Sequence, residues 1–232
     1  MGKRQDARGR IEARIIELGR RHLETDGASG LSLRAVARDL GMVSSAVYRY
    51  VASRDELLTL LLVDAYGELA DRAEAARDSA GASWREQFRA IGCAVRGWAL
   101  DAPACWALLY GSPVPGYHAP AELTVGPGTR VVGMLFDIVS AGIAAGDIGP
   151  ADAVVTQPLS ADYRLLRAGF DFPGDDAVMS KCFLAWAALV GAVSLEVFGQ
   201  YGADTLRDPA ALFHVQLNLL IGILVGGSET QN

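Results

Sequence analysis

The apolar residues of this chain recur mainly at helical spacing. Ile11, Ile15, Leu18 and Leu23 fall on one face with charged residues between them, which predicts an amphipathic helix over residues 8–26. No stretch of useful length alternates apolar and polar residues with the period of a strand. The pattern therefore predicts an all-α fold of about nine helices.

The next stretch predicts two short helices separated by a tight turn. Ser32 is placed to cap a helix over residues 33–40, and Gly41 is placed to end it in the left-handed conformation. A second short helix is predicted over residues 44–51, and Val36, Val47 and Val51 are expected in the core. Two short helices around a turn with glycine form a helix-turn-helix, whose second helix enters the DNA major groove.

The remaining pattern predicts a long fourth helix and a larger helical region. Ser53 and Glu56 match a capping box that opens a helix running to about residue 80. Later helices are predicted over residues 84–100, 103–110, 129–145, 150–167, 175–201 and 208–226. Pro103, Pro150 and Pro209 are expected in first turns, and Pro158 is expected to kink or split its helix. Residues 111–128 are rich in proline and glycine and are expected to form a loop. The expected domains are a three-helix DNA-binding domain (1–55, motif about 32–51), a connecting helix (56–82) and a C-terminal domain (83–232).

Charge is distributed unevenly along the chain. The net charge is −6, which by itself argues against a nucleic-acid partner. Residues 1–55, however, contain 11 of the 21 basic and 7 of the 27 acidic residues, so they carry +4 and the rest of the chain carries −10. A basic module on an acidic body is typical of a DNA-binding domain joined to another function.

Two stretches without charged residues, 102–121 and 209–228, raise the question of a membrane span. Prolines interrupt the first, and His214, Gln216 and Asn218 lie in the middle of the second, so neither is expected to cross a bilayer. The N-terminus has no apolar segment typical of a signal peptide. A cytoplasmic location is expected.

The start of the predicted second short helix carries the candidate DNA contacts. Ser44, Ser45 and Ala46 are small enough to let the backbone approach base edges. Tyrosine hydroxyls and guanidinium groups suit contacts to phosphate. These groups belong to Tyr48, Arg49, Tyr50 and Arg54.

Residues 8–62 resemble the DNA-binding domain of the TetR/AcrR family of bacterial repressors. The resemblance lies in the runs Leu-Ser-Leu-Arg-Ala-Val-Ala-Arg-Asp-Leu-Gly at 31–41, Ser-Ser-Ala-Val-Tyr-Arg-Tyr-Val at 44–51 and Ser-Arg-Asp-Glu-Leu-Leu at 53–58. It implies that Arg34 contacts a base or phosphate, that residues 44–46 face bases, and that Tyr48, Tyr50 and Arg54 bind phosphates. Ala46 and Val51 depart from the residues common in the family, which leaves the operator sequence open.

The C-terminal part is expected to bind a ligand and to dimerise. The resemblance implies that the last two helices form a four-helix bundle with a second copy. The expected interface residues are Trp186, Leu189, Val190, Val193, Val197, Phe213, Leu219, Leu220 and Ile223. The segments 106–117 and 186–199 also resemble an actinobacterial-type subset of the family.

An effector pocket is expected within residues 84–190, lined mainly by aromatic side chains. The candidates are Trp98, Trp106, Tyr110, Tyr117, His118, Phe136, Tyr163 and Phe170, which favour an apolar or aromatic ligand. No cofactor or metal is expected, because Cys93, Cys105 and Cys182 lack zinc-ligand spacing. The three histidines lie far apart in sequence and suggest no catalytic set, so an enzyme is not expected.

The sequence therefore predicts a dimeric repressor that a small ligand releases from a palindromic operator. A constitutive DNA-binding protein without an effector, or an activator, remains an alternative at this point.

Overall fold

The computed structural model describes residues 3–150 and 153–226, and within these ranges it contains ten helices and no strand. The all-α prediction is confirmed, with one helix more than expected. The helices are α1 (Lys3–Gly30), α2 (Leu33–Asp39), α3 (Ser44–Val47), α4 (Arg54–Ser79), α5 (Trp84–Asp101), α6 (Pro103–Tyr110), α7 (Ala121–Ala144), α8 (Leu159–Phe170), α9 (Asp176–Val197) and α10 (Pro209–Val225).

The residues that end and begin the first helices act as the sequence predicts. Gly27 has φ 67°, so the regular part of α1 ends near the expected residue even though helical turns continue to Gly30. The Ser32 side chain accepts a hydrogen bond from the N–H of Ala35 at the start of α2, and Gly41 has φ 69° after its end.

The second short helix is shorter than expected. Only Ser44–Val47 is α-helical, and residues 48–50 form tight turns instead. Arg49 N–H donates to the Ala46 carbonyl and Tyr50 N–H to the Val47 carbonyl, which is the i to i−3 pattern of a tightened helix end. The prediction of a helix over 44–51 is therefore wrong for its second half.

The contacts of the chain divide it into two compact units. The first unit comprises residues 1–69 and 99–128, and the second comprises residues 70–98 and 129–232, of which only the described residues are discussed. In the first unit α6 packs against α1, and Ala104, Leu108, Val114 and Tyr117 cover the core formed by the N-terminal helices. These residues lie beyond the boundaries expected from the sequence, because the apolar side of α1 needs a cover that α2–α4 do not supply alone.

Helix α7 begins eight residues earlier than predicted. The N–H groups of Leu123 and Thr124 both donate to the Pro120 carbonyl, and the Thr124 hydroxyl donates to it as well, which starts the helix at Ala121. Pro127 lies inside α7. The expected loop over 111–128 is therefore wrong for its last eight residues.

Two of the three predicted first-turn prolines are confirmed, namely Pro103 and Pro209. Pro150 does not open a helix, because α8 begins only at Leu159 with Pro158 at its N-cap, where a missing N–H costs little. Residues 151 and 152 of the predicted helix lie outside the described part of the chain.

In the described residues one helix, α9, is long and apolar enough to cross a membrane by length and composition, with a mean hydropathy of 1.8. The sequence analysis did not single out this segment. It packs against α8 and α10, and 33% of its most apolar window is buried, including Met179, Ala185 and Val193.

Candidate nucleic-acid interface

A buried apolar floor holds the turn between α2 and α3. Val36, Val47 and Val51 have no exposed surface, which confirms that they belong to the core. Val47 points inward, and the positions before it on α3 differ in exposure. Ser44 and Ser45 are exposed and Ala46 is half-buried. The packing thus presents the small residues of α3 on the surface of the unit.

The basic and tyrosine side chains around α3 share this exposure. Arg34 on α2 is exposed, as is Arg49, and Tyr48 is 44% exposed, which is high for an aromatic side chain. Tyr50 is half-buried and packs at the edge of the core. Hydroxyl and guanidinium groups in this arrangement can donate hydrogen bonds to phosphate oxygens.

Val43 is a surface residue that the sequence analysis missed. It is the N-cap residue of α3 and is 71% exposed, although valine is usually buried. Its position in the sequence could have indicated a surface role, because Val43 directly precedes the small residues of α3. Its methyl groups suit an apolar contact, such as the one that a thymine methyl group offers in the major groove.

Arg54 makes hydrogen bonds that the sequence did not predict. Its Nε donates to the Leu31 carbonyl at 3.1 Å, and its Nη2 donates to the carbonyls of Ala28 and Ser29 at 2.8 and 3.1 Å. One guanidinium therefore anchors the start of α4 to the end of α1. A role of Arg54 in phosphate binding stays a prediction, and the third nitrogen, Nη1, lies 3.8 Å from the Asp55 carboxylate.

The helix that Arg54 opens is capped as the sequence predicts, with one difference. The Ser53 hydroxyl accepts from the N–H of Glu56, and the Glu56 carboxylate accepts from the N–H of Ala52 rather than from that of Ser53. These bonds fix the start of α4 directly after the tyrosines that follow α3.

Side-chain pairs also connect α1 to its neighbours in the first unit. His22 lies 2.9 Å from the Asp39 carboxylate at the end of α2. Arg20 pairs with both Asp64 and Glu68, one turn apart on α4, at 2.6 Å each. Burial opposes the charge of Arg20, but the hydrogen bond that it donates to Glu68 and the nearby charge of Asp64 leave its pKa raised.

The aromatic candidates for an effector pocket fall into both units. Trp106, Tyr110, Tyr117 and His118 belong to the first unit, and Trp98, Phe136, Tyr163 and Phe170 to the second. In the first unit the Tyr117 hydroxyl lies 2.9 Å from the Thr59 hydroxyl, which itself donates to the Asp55 carbonyl. Tyr117 is therefore the donor of that pair. Burial raises the pKa of Tyr110 well above its usual value, and His118 is exposed.

The second unit contains a small apolar cavity between α5, α7 and α9. Its volume is about 10 Å³, enough for a single water molecule at most. The lining residues are Phe88, Ile91, Val131, Leu135, Ile138, Ala185, Trp186 and Leu189, and none of the eight aromatic and histidine candidates is among them. Trp98 lies further along the same face of α5, and within the described residues its buried Nε1 has no acceptor.

A larger apolar groove lies between α9 and α10. Its volume is about 430 Å³, and its lining is apolar except for Gln216. Of the expected dimer residues, Leu189, Val193, Phe213 and Leu220 are buried inside the protomer, whereas Leu219 and Ile223 are exposed. Leu195 and Val215 are also exposed on these helices and were missed by the sequence analysis.

In the described ranges, no group of three or more histidine, cysteine or acidic side chains is arranged to hold a metal ion. Burial raises the pKa of the three thiols of Cys93, Cys105 and Cys182. The Cys93 sulfur lies 3.6 Å from the His214 ring, and no disulfide is formed among the three.

The fold and the exposed surface around α3 define a helix-turn-helix DNA-binding protein with a helical C-terminal region. Residues 88–220 match the family model described as the tetracyclin repressor-like C-terminal domain. Over 225 residues the chain is 64% identical to the HTH-type transcriptional regulator Rv1816 of Mycobacterium tuberculosis strain H37Rv, covering 97% of this chain and 96% of that protein. The chain belongs to the TetR/AcrR family of transcriptional regulators.

Solved structures agree with this assignment. The putative regulatory protein SCO4313 superposes with a TM-score of 0.77 at 32% identity, covering 95% of this chain and all of that one. A protein of unknown function from Rhodococcus sp. RHA1 gives a TM-score of 0.70 at 25% identity, with 93% and 96% covered.

Proposed function

We propose that this regulator binds a specific DNA sequence with the exposed residues of α3 and the side chains around it. The observation that carries this proposal is the exposure of Ser44, Ser45 and Tyr48 above a fully buried valine floor. Phosphate contacts are assigned to Arg34, Tyr48, Arg49 and Tyr50, and to Arg54 if its Nη1 reaches the DNA. Because Ala46 offers only a methyl group to a base, the backbone contacts supply much of the affinity.

We further propose that two copies associate through α9 and α10. The groove of about 430 Å³ and the exposed Leu195, Val215 and Leu219 give these helices an apolar face that a monomer would leave in water. A two-fold dimer binds a palindromic operator whose half-sites lie about one DNA turn apart. Such a protein works in the cytoplasm, where its DNA is.

As the means of control, we propose release from the operator by a small apolar or aromatic ligand. The cavity lined by α5, α7 and α9 is entirely apolar, and the unpaired Trp98 Nε1 is a buried donor that a polar atom of a ligand would satisfy. At about 10 Å³ the cavity admits a ligand only if side chains move. A ligand shifts the DNA-bound population only as far as it prefers one of the two states.

The small cavity also supports a second candidate, a constitutive DNA-binding protein without an effector. A site with room for no more than about one water molecule is what such a protein would have. The two candidates differ in one measurable respect, the response of operator affinity to small molecules.

The test begins with DNA binding. Duplexes covering the region upstream of the gene are titrated with the purified protein and followed by fluorescence anisotropy, with random-sequence duplex as competitor. We expect specific binding that Tyr48→Ala weakens on every duplex by roughly tenfold, because a phosphate contact is lost. Binding no tighter to upstream duplex than to random duplex would overturn sequence-specific recognition.

The effector is tested on the same complex. A panel of apolar and aromatic metabolites is screened for raised thermal stability of the protein, and each hit is added to the DNA complex. A hit that lowers operator affinity supports ligand release. Hits that bind without changing the affinity favour the constitutive candidate.

A further inference from the structure

The first exposed turns of α1 bring a cation next to the residues that follow α3. Arg8 lies one turn before Ile11 on the face of α1 that Ile15 and Leu18 continue into the core. Its guanidinium carbon lies 6.0 Å from the centre of the Tyr50 ring, a cation–π contact across 42 positions of sequence. The same packing that buries α1 therefore carries Arg8 to the edge of the proposed DNA surface.

Among the side chains that the structure describes, the charge of Arg8 is paired with an exposed carboxylate. Its Nε donates to the Glu12 carboxylate at 2.7 Å, one turn along α1, and the Arg8 side chain is 60% exposed. The hydrogen bond and charge of Glu12 raise the pKa of Arg8, to which Tyr50 and Glu56 add smaller effects. An exposed pair at this spacing contributes little to stability, so Arg8 can exchange its partner at small cost.

We propose that Arg8 is a further DNA-backbone ligand, outside the helix-turn-helix, which exchanges the Glu12 carboxylate for a phosphate beside the one assigned to Tyr50. The stack on Tyr50 holds the guanidinium in place before DNA arrives, and a guanidinium suits a phosphate in two-pronged geometry. Glu12 then acts against binding, because it holds Arg8 in the free protein and repels the phosphate in the complex. This inference rests on the proposed DNA binding.

The competing explanation is structural, with Arg8 serving only to hold the Tyr50 ring. The two explanations predict different salt dependence, because only a phosphate contact releases a counterion from DNA. They also predict different effects of Glu12, since a merely structural Arg8 gives no reason for DNA affinity to rise when Glu12 is neutralised.

The experiment measures anisotropy on a random-sequence duplex and on an upstream duplex between 50 and 200 mM salt. Each phosphate contact contributes about 0.9 to the slope of log affinity against log salt, so Arg8→Ala in a dimer should lower the slope by about 1.8. Over this fourfold salt range the variant should lose about twelvefold less affinity than the parent protein. Glu12→Gln should raise the affinity several-fold at 50 mM salt, and most of that gain should vanish in the double variant Arg8→Ala, Glu12→Gln.

Arg14→Ala is the matched control. Arg14 pairs with Glu17 on the same helix and is also exposed, but it lies on a different face from Arg8. We expect Arg14→Ala to leave the salt slope unchanged, and thermal unfolding should show that all variants remain folded.

The outcomes separate the inference from the function on which it rests. An unchanged salt slope in Arg8→Ala, with the parent protein still binding DNA, overturns the role of Arg8 alone. An equal fall in the slope for Arg8→Ala and Arg14→Ala also overturns it, because the effect is then one of general charge. If the parent protein binds neither duplex, the proposed DNA binding itself fails.

Discussion

The N-terminal core of the first unit and the α9–α10 pair differ in how far they bury their apolar side chains. In the N-terminal core twelve side chains from Ile15 to Leu61 are at most 4% exposed, and the surface around α3 is mostly polar. On α9 and α10, by contrast, Leu184, Leu195, Val215, Leu219 and Ile223 are all at least 38% exposed. The first arrangement is complete in one chain and leaves polar groups for a charged partner. The α9–α10 pair leaves an apolar face exposed in one chain, and such a face favours an apolar partner.

The largest expected effect comes from a charge placed on the apolar face. Leu219 is 62% exposed in the protomer, so Leu219→Glu should leave the fold intact and should place an unpaired charge in the proposed interface. We expect dimer affinity to fall by more than about a hundredfold, which sedimentation velocity would measure. Operator affinity should fall with it.

Leu165→Glu is the control for that substitution. Leu165 is an exposed leucine on α8, outside the α9–α10 pair, and should tolerate the charge without dissociation. If Leu219→Glu sediments as the parent protein does, the exposed face of α10 is not the interface, and the contrast between the two regions loses its functional meaning.

A smaller effect is expected where the first unit depends on a polar anchor. Arg54→Ala removes three hydrogen bonds to carbonyls at the end of α1, and we expect it to lower the free energy of unfolding by about 1–2 kcal/mol, allowing for its partial exposure. Arg54→Lys keeps the charge but cannot span the three carbonyls. Urea denaturation of both variants measures the loss.

The lysine variant separates the two roles of Arg54. If phosphate binding dominates, Arg54→Lys should keep the salt slope of DNA binding and Arg54→Ala should lose about 0.9 per protomer. If the anchor dominates, both variants should lose stability while both keep the slope. Unchanged stability in Arg54→Ala would show that the anchor contributes nothing.

The smallest effect concerns a polar contact of the second unit. The hydrogen bond from Arg85, and next that from Trp84, lower the pKa of Asp147 below its usual value. A carboxyl whose pKa is lowered by folding stabilises the protein above its ordinary pKa and loses that contribution as the pH falls through the lowered value. Asp147→Asn should therefore reduce Tm slightly at pH 6 and by less at pH 2.5, which lies below the ordinary pKa of the carboxyl. An equal reduction at both pH values would assign the effect to packing.

The local beginnings and ends of helices could be predicted from the sequence because their causes are local. Ser32, Gly41 and the Ser53–Glu56 pair each act within four residues of their position. Ser32 and Gly41 behave as predicted, and the pair differs only in that Glu56 accepts from the Ala52 N–H. The true length of α3 could not be predicted in the same way. Nothing in residues 48–50 forbids a helix, and a regular helix would also place Val51 on the buried face of Val47, so the local pattern carries no signal for the tightening.

Only those features of the candidate site that depend on neighbouring residues in the chain could be predicted from the sequence. The exposure of Ser45 and Tyr48 follows from the periodicity around Val47, whereas Ser44 lies one turn before Val47 and its exposure does not. The anchoring role of Arg54 does not, because its acceptors lie 23 to 26 positions away in the chain. The stack of Arg8 on Tyr50 was missed for the same reason.

The grouping of residues 99–128 with the N-terminal helices affects the design of chimeric regulators. Exchange of regulatory domains between relatives is designed most simply with one junction, for which residue 82 looks suitable. Such a junction would give α1 a foreign α6 and would leave Thr59 without the Tyr117 hydroxyl. The contact boundaries at 69/70, 98/99 and 128/129 instead fall within α4, α5 and α7. A working chimera would accordingly keep residues 99–128 with their own α1 and accept three splices, each inside a helix.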